Sequence, residues 1–158
     1  MANYHIDNAL AGTQQSMSTA YKTLLEGLAQ TTGIKRTRWY GFNIGPAGLP
    51  SSTDCDLVWD VSRITATGTG TATTPLPLDP NDGAATSSWK GNDTIEGTVT
   101  ATSSLAYGAM NQRATYSWQT NDQSQMLVGP ATNNAGLCIR AKSSTYTNTV
   151  GATVYFNE

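Results

Sequence analysis

Residues 94–102 alternate without a break, with Ile95, Gly97, Val99 and Ala101 on one side and Thr94, Glu96, Thr98 and Thr100 on the other. Successive side chains of an extended strand point to opposite faces, so this period-two pattern suits a half-buried β-strand and not a helix. The pattern returns at the carboxyl end, where Val150, Ala152, Val154 and Phe156 share one face. In residues 34–44, Ile34, Arg36, Arg38, Tyr40, Phe42 and Ile44 oppose Lys35, Thr37, Trp39, Gly41 and Asn43, and Gly45-Pro46-Ala47-Gly48 ends the run. Residues 55–65 carry apolar side chains on both faces, as a strand covered on each side does. Further short segments at 105–110, 114–118, 125–128 and 136–142 bring the expectation to about eight or nine strands separated by turn clusters. That is the signature of an all-β sandwich or barrel. Long connections mixed with short ones favour a jelly-roll β-sandwich over an up-and-down barrel. No fixed-period repeat is visible, which argues against propellers and solenoids.

Two parts of the chain break the pattern. Residues 61–85, VSRITATGTGTATTPLPLDPNDGAA, pass from a β-patterned segment into a Thr/Gly run and then into Pro75, Pro77 and Pro80. Glycine and proline at that density end regular structure, so one long loop is expected here, with no core role for 67–74. Residues 17–30 place Met17, Tyr21, Leu24, Leu25 and Leu28 at helical spacing behind a possible Ser16 or Ser18 cap, whereas Gly27, Thr19 and Thr23 weaken a helix. On spacing alone this segment reads as a helix. The 158 residues fit a single sandwich domain over 18–158, with 1–17 as an extended amino-terminal arm or a first strand, since Tyr4, Ile6 and Asn8 alternate weakly.

The chemistry-bearing residues are few. Charged side chains make up 13% of the chain, about half the usual share, and 9 Lys and Arg against 11 Asp and Glu give a net charge of -2. A nucleic-acid binder carries a basic excess, and this chain does not; Lys35, Arg36 and Arg38 read as a solvated strand edge. No apolar run approaches the roughly 18 residues of a membrane span, and the amino terminus has no basic region followed by an apolar run, so no secretory signal is visible. Cys55 and Cys138 lack CxxC spacing and a companion histidine, which excludes a zinc site and leaves two half-buried thiols, or a disulfide only if their two strands are neighbours.

His5 is the only histidine, and no serine sits in a GxSxG elbow, so no catalytic residue is expected and the chain reads as a non-enzyme. Asp54, Asp56 and Asp60 read as a polar strand start after a turn. Asp79-Pro80-Asn81-Asp82-Gly83 lacks the alternating acidic spacing and closing Glu of a calcium loop and reads as a proline-initiated turn, so no metal and no cofactor is expected. Among the four tryptophans, Trp59 and Trp118 sit in strand patterns and read as core. Trp89 follows Ser87-Ser88 near the end of the long loop. It reads equally as an interface anchor or as a side chain packed onto its own sandwich.

Several short motifs occur in order along most of the chain: Leu10-Ala11-Gly12-Thr13-Gln14-Gln15, Tyr21-Lys22-Thr23-Leu24-Leu25, Val61-Ser62-Arg63-Ile64-Thr65, Leu78-Asp79-Pro80, Asn111-Gln112-Arg113-Ala114 and the closing Val154-Tyr155-Phe156. In that order they resemble small virion proteins of tailed bacteriophages that decorate or cement the capsid shell. The resemblance implies a jelly-roll homotrimer on the capsid exterior, assembled in the host cytoplasm, that bridges neighbouring major capsid proteins. It also implies that residues 17–30 are a strand leading into a turn at Thr31-Thr32-Gly33. No catalytic residue carries over. Contacts are expected from the segment 4–10 and the loop 66–92, with Tyr4, His5, Ile6, Leu10 and Trp89 as partner-binding residues. A head-fibre or tail component is an alternative within the same class. A carbohydrate-binding jelly-roll module is the alternative from another class, with Trp89, Asp79 and Asp82 as its site.

Overall fold

A computed structural model describes residues 1–29 and 35–158. The expected turn at Thr31-Thr32-Gly33 and the Ile34 strand start lie outside the described residues. The strands are β1 (Asn3–Asp7), β2 (Gln15–Ser16), β3 (Lys22–Leu28), β4 (Arg38–Pro46), β5 (Asp56–Ala66), β6 (Thr69–Thr73), β7 (Leu76–Pro77), β8 (Ser88–Ile95), β9 (Thr98–Asn111), β10 (Tyr116–Gln119), β11 (Leu127–Val128), β12 (Gly136–Lys142) and β13 (Thr149–Asn157). The only helical element among the described residues is one 3-10 turn, Gln123–Gln125, capped by the Asp122 side chain, which accepts from Ser124 N. The chain is therefore all-β, as its alternation requires.

The strands form two antiparallel sheets that face each other as a sandwich. Sheet I has the order β10-β4-β13-β1-β7, with β2 added to β13 and β11 to β4. Sheet II has the order β6-β8-β3-β12-β5-β9. The two ends of the chain meet in sheet I, where Tyr4 pairs with Phe156 and Ile6 with Val154. Of the two readings of residues 1–17, a first strand describes Asn3–Asp7, which is held between β13 and β7.

Alternation decides which side chains enter the core. Ile44, Phe42, Ala152, Val154 and Phe156 from sheet I meet Leu25, Leu57, Trp59, Val61 and Ile139 from sheet II. Aromatic rings fill the middle: Trp39 stacks on Trp89 at 5.7 Å, Trp89 meets Phe156 at 4.5 Å, and Phe42 meets Trp59 edge-on at 5.5 Å. The Trp89 ring lies so close to β3 that a β-carbon at Gly27 would sit 2.6 Å from it. Gly27, which weakens a helix, is thus the residue that lets the indole pass. A buried clasp ties the sheets together: Asn8 Nδ2 donates to Asn92 Oδ1 (3.0 Å) and Val150 O (2.9 Å), while Asn92 Nδ2 donates to Asn8 O (2.9 Å). Asn92 adopts a positive φ of 56°, a conformation that Asn tolerates better than most residues.

One open reading is decided and one expectation changes. Residues 22–28 form the strand β3, as the resemblance implies, and not the helix that spacing alone suggests. It lies between β8 and β12, and from Thr23 to Leu28 every residue is buried. When both faces are covered, strand and helix periods cannot be told apart from the apolar pattern. The expected loop after Ala66 holds three strands. The Thr/Gly run forms β6 along the edge of sheet II against β8, where Thr suits an extended backbone. The chain then crosses to sheet I, where Leu76 pairs with His5 and Pro77 with Tyr4. Proline is tolerated there because β7 is an edge strand that need not donate on both sides. Asp79–Gly83 makes a turn, with Asn81 N donating to Asp79 Oδ1 (2.9 Å) and Asp82 N to Asp79 O (3.0 Å), before β8 returns to sheet II.

Candidate functional site

The solvent side of sheet I carries a row of rings. Tyr4 and Ile6 turn inward, so His5 turns outward; Val154 and Phe156 turn inward, so Tyr155 turns outward; Trp39 turns inward and Tyr40 outward. Pairing of β1, β13 and β4 then sets the three side by side, with ring centroids 6.0 Å apart for His5 and Tyr155 and 6.3 Å apart for Tyr155 and Tyr40. Beside this row lies a cleft of about 340 Å³ lined by Tyr40, Tyr155, Leu78, Asn43, Ser117 and Gln119, with Trp118 at its β10 edge. The Ser117 hydroxyl donates to Asn43 Oδ1 at 2.6 Å, which orients that amide with its NH2 group as the remaining donor. No Asp, Glu, Lys or Arg lines the cleft. Burial, and then the neighbouring Tyr155, raise the Tyr40 phenol above its usual value, so it stays protonated and neutral.

The second exposed feature is β9. It is the longest strand, runs along the open edge of sheet II, and pairs with β5 alone in the order of that sheet. Its 14 residues, TVTATSSLAYGAMN, include no charge and no proline. Edge strands usually carry such residues to block pairing with another chain. Tyr107, 66% exposed, stands in the middle of its outer half.

The solvent side of sheet II carries several charged pairs, whereas the cleft on sheet I is lined by neutral residues. Arg140 on β12 grips Asp60 on β5 with two hydrogen bonds, Nε to Oδ1 at 2.7 Å and Nη2 to Oδ2 at 2.8 Å, and its guanidinium lies 4.3 Å from the Tyr21 ring. Farther along, Glu26 on β3 is fully buried; it accepts from the Thr67 hydroxyl and from Gly68 N (3.2 Å), with Lys90 Nζ at 3.8 Å. Glu96 accepts from Thr23 N (2.8 Å) and the Thr23 hydroxyl (2.6 Å), with Lys22 Nζ at 3.7 Å. Between them Asp93 on β8 is 0% exposed, and neither of its oxygens meets a donor among the described residues. Its carboxyl group packs on the β6 backbone, where a β-carbon at Gly68 or Gly70 would collide with it. Burial first, and then the negative Glu26 and Glu96, push Asp93 up to about 7 against the opposing pull of Lys90 and Lys22. Among the described residues, no three His, Cys, Asp or Glu side chains converge to hold a metal ion.

The residues expected to bind a partner separate into two groups. Tyr4 (4% exposed), Ile6 (0%) and Trp89 (2%) are core side chains, so they present nothing to a partner. Tyr4 stacks on Phe156 at 5.3 Å, and Trp89 donates from Nε1 to the Ser87 hydroxyl at 2.9 Å. Trp89 belongs to a strand because β8 begins at Ser88, directly before it. With the indole in the core, the sugar site drawn from Trp89, Asp79 and Asp82 does not form. His5 is half-buried on the outer face, 3.3 Å from Asp7 Oδ2 through Nε2, and Leu10 is exposed in the turn after β1.

The other acidic and thiol groups are dispersed. Asp54 pairs with Arg113 at 3.4 Å, Asp60 with Arg140, and Asp56 is exposed. Cys55 and Cys138 are separate buried free thiols, and burial pushes the Cys138 thiol up, so it is not a nucleophile. Tyr40 and Tyr155, central to the outer face, were not singled out by sequence reasoning. For Tyr155 the signal was its alternation with Val154 and Phe156; for Tyr40 there was none, because alternation puts it on the face of Phe42 and only the register shift in the β13–β4 pairing turns it outward. Searches of protein-family models, curated proteins and solved structures find no match to this chain.

Proposed function

We propose that the protein is a structural virion component of a tailed bacteriophage, a capsid-decorating protein that attaches to the shell through sheet surfaces rather than through a catalytic site. In this reading the sandwich is a jelly roll that assembles as a homotrimer and contacts the major capsid protein. The single observation that supports it most is β9, an edge strand of fourteen residues without charge or proline on which Tyr107 is exposed. An extended partner segment that adds to such an edge gains main-chain hydrogen bonds along its whole length, and closed symmetry multiplies weak contacts. The ordered motifs described above support the same class.

Co-sedimentation with undecorated capsids tests the reading. The wild-type chain is expected to pellet with the shell. Ala109→Lys on β9 is expected to reduce binding by about tenfold or more, because a desolvated charge at a strand edge opposes pairing. Light scattering is expected to give three times the mass of one chain. Wild-type protein that stays in the supernatant at every shell concentration overturns the capsid reading.

A further inference from the structure

We propose that the outer face of sheet I is a binding site for a neutral glycan, with Tyr155 and Tyr40 as the stacking platform and Asn43, Ser117 and Gln119 as the hydrogen-bonding wall. This goes beyond capsid attachment, which is assigned to the opposite sheet's edge.

Four observations converge on that chemistry. Rings from three adjacent strands lie next to one another, with centroid spacings of 6.0 and 6.3 Å and planes tilted by 36° and 34°. Aromatic side chains offer a flat apolar surface at low conformational cost, and sugar rings offer matching C–H faces. The wall beside the row consists of amide and hydroxyl groups, which can both donate and accept, as a polyhydroxylated ligand demands. The volume of about 340 Å³ falls at the lower end of small-ligand sites and suits one or two sugar units.

Charge decides between ligand classes. With no Asp, Glu, Lys or Arg in the lining, the cleft has nothing to pair with a phosphate, a sulfate, a uronic acid or a charged peptide. A purely apolar partner is equally unsuited, because it would desolvate Asn43, Ser117 and Gln119 without replacing their hydrogen bonds. The ligand that satisfies both constraints is neutral and hydroxyl-rich. Leu78, brought to the rim by the crossing from β6 to β7, closes one side. The former loop therefore contributes to this site by placing a strand, not by reaching outward.

The test is an array of neutral and acidic oligosaccharides, followed by calorimetry with maltotetraose, cellotetraose, chitotetraose and any further neutral compound the array retains. At least one neutral oligosaccharide is expected to bind with a Kd of about a millimolar or tighter, the range open to a shallow cleft. Tyr155→Ala is expected to weaken that binding about tenfold, Tyr155→Phe to retain most of it, and Asn43→Ala to weaken it several-fold, whereas Leu49→Ser on the distant β4–β5 connection leaves it unchanged. Asn43→Ala keeps the test decisive if Tyr155→Ala fails to fold. Absence of binding to every neutral compound, binding confined to acidic compounds, or binding that neither Tyr155→Ala nor Asn43→Ala alters overturns the proposal. Capsid co-sedimentation is read separately, so either proposal can fail alone.

Discussion

The outer faces of the two sheets use polar residues in opposite ways. On sheet I, Tyr40, Tyr155, Asn43 and Gln119 surround a neutral cleft and stand at the solvent boundary. On sheet II, Asp60, Glu26 and Asp93 are buried, tied to Arg140, to Lys90 and Thr67, or, for Asp93, to no donor among the described residues. The first face retains polar groups that can still bond to a ligand. In the second, polar groups are mostly consumed by the protein and act on its stability. Substitutions of similar size are therefore expected to read out as binding on one face and as stability on the other.

The largest expected effect is the titration of Asp93. A carboxyl with an ordinary value of 3.8 that is raised to about 7 in the fold binds its proton more tightly folded than unfolded. Its stabilising contribution is complete below pH 3.8, is lost as pH rises toward 7, and stays lost above that. The difference corresponds to about 4 kcal/mol for three pH units. Chemical denaturation between pH 4 and pH 8 is expected to show this fall superimposed on other titrations, and Asp93→Asn to flatten it. A wild-type curve parallel to that of the Asn variant would remove Asp93 as the cause.

Next is Arg140→Ala, which leaves the buried Asp60 carboxylate without its two charge-assisted hydrogen bonds. A loss of about 3 kcal/mol is expected from urea melts at neutral pH. Asn8→Ala probes the clasp between the sheets: it strands Asn92 and the Ala152 amide, which donates to Asn8 Oδ1 at 2.9 Å, and should cost about 2 kcal/mol. A cost below half of that would mean the sheets are held by the apolar core alone. The smallest expected stability effect is on the neutral face. Tyr155→Ala should lower stability by about 1 kcal/mol or less while acting mainly on ligand binding. If it matched Arg140→Ala in urea, the contrast between the faces would collapse.

Several parts of this organisation were legible in the chain. The strands β13 and β5 follow from their patterns, and Phe156, Val154 and Trp59 were readable as core because each shares a face with other apolar residues. The strand β3 was not readable, since Thr23 to Leu28 are all covered, and a run buried on both sides carries no period. Trp89 was ambiguous for a related reason: its neighbours Ser87, Ser88 and Lys90 are polar, and the Glu26 and Gly68 contacts that make Lys90 part of a packed layer lie far away in sequence. The residues of the outer-face cleft were even less visible, because no one of them is unusual.

The sequence by itself determined an all-β chain with little charge, because period-two alternation and composition are local properties that need no partner to be read. It also determined which way most side chains on β13 and β5 point, but not those of β4, where a register shift against β13 turns Trp39 inward and Tyr40 outward although alternation puts Tyr40 on the face of Phe42. Only the tertiary structure decided that the rings of residues 5, 155 and 40 lie side by side, that the Thr/Gly run is an edge strand, and that Asp93 is buried against Gly68 and Gly70. Each of these depends on which strands pair and in what register. Pairing partners here are separated by up to the whole length of the chain, and a register shift of one residue would turn an outward ring into the core.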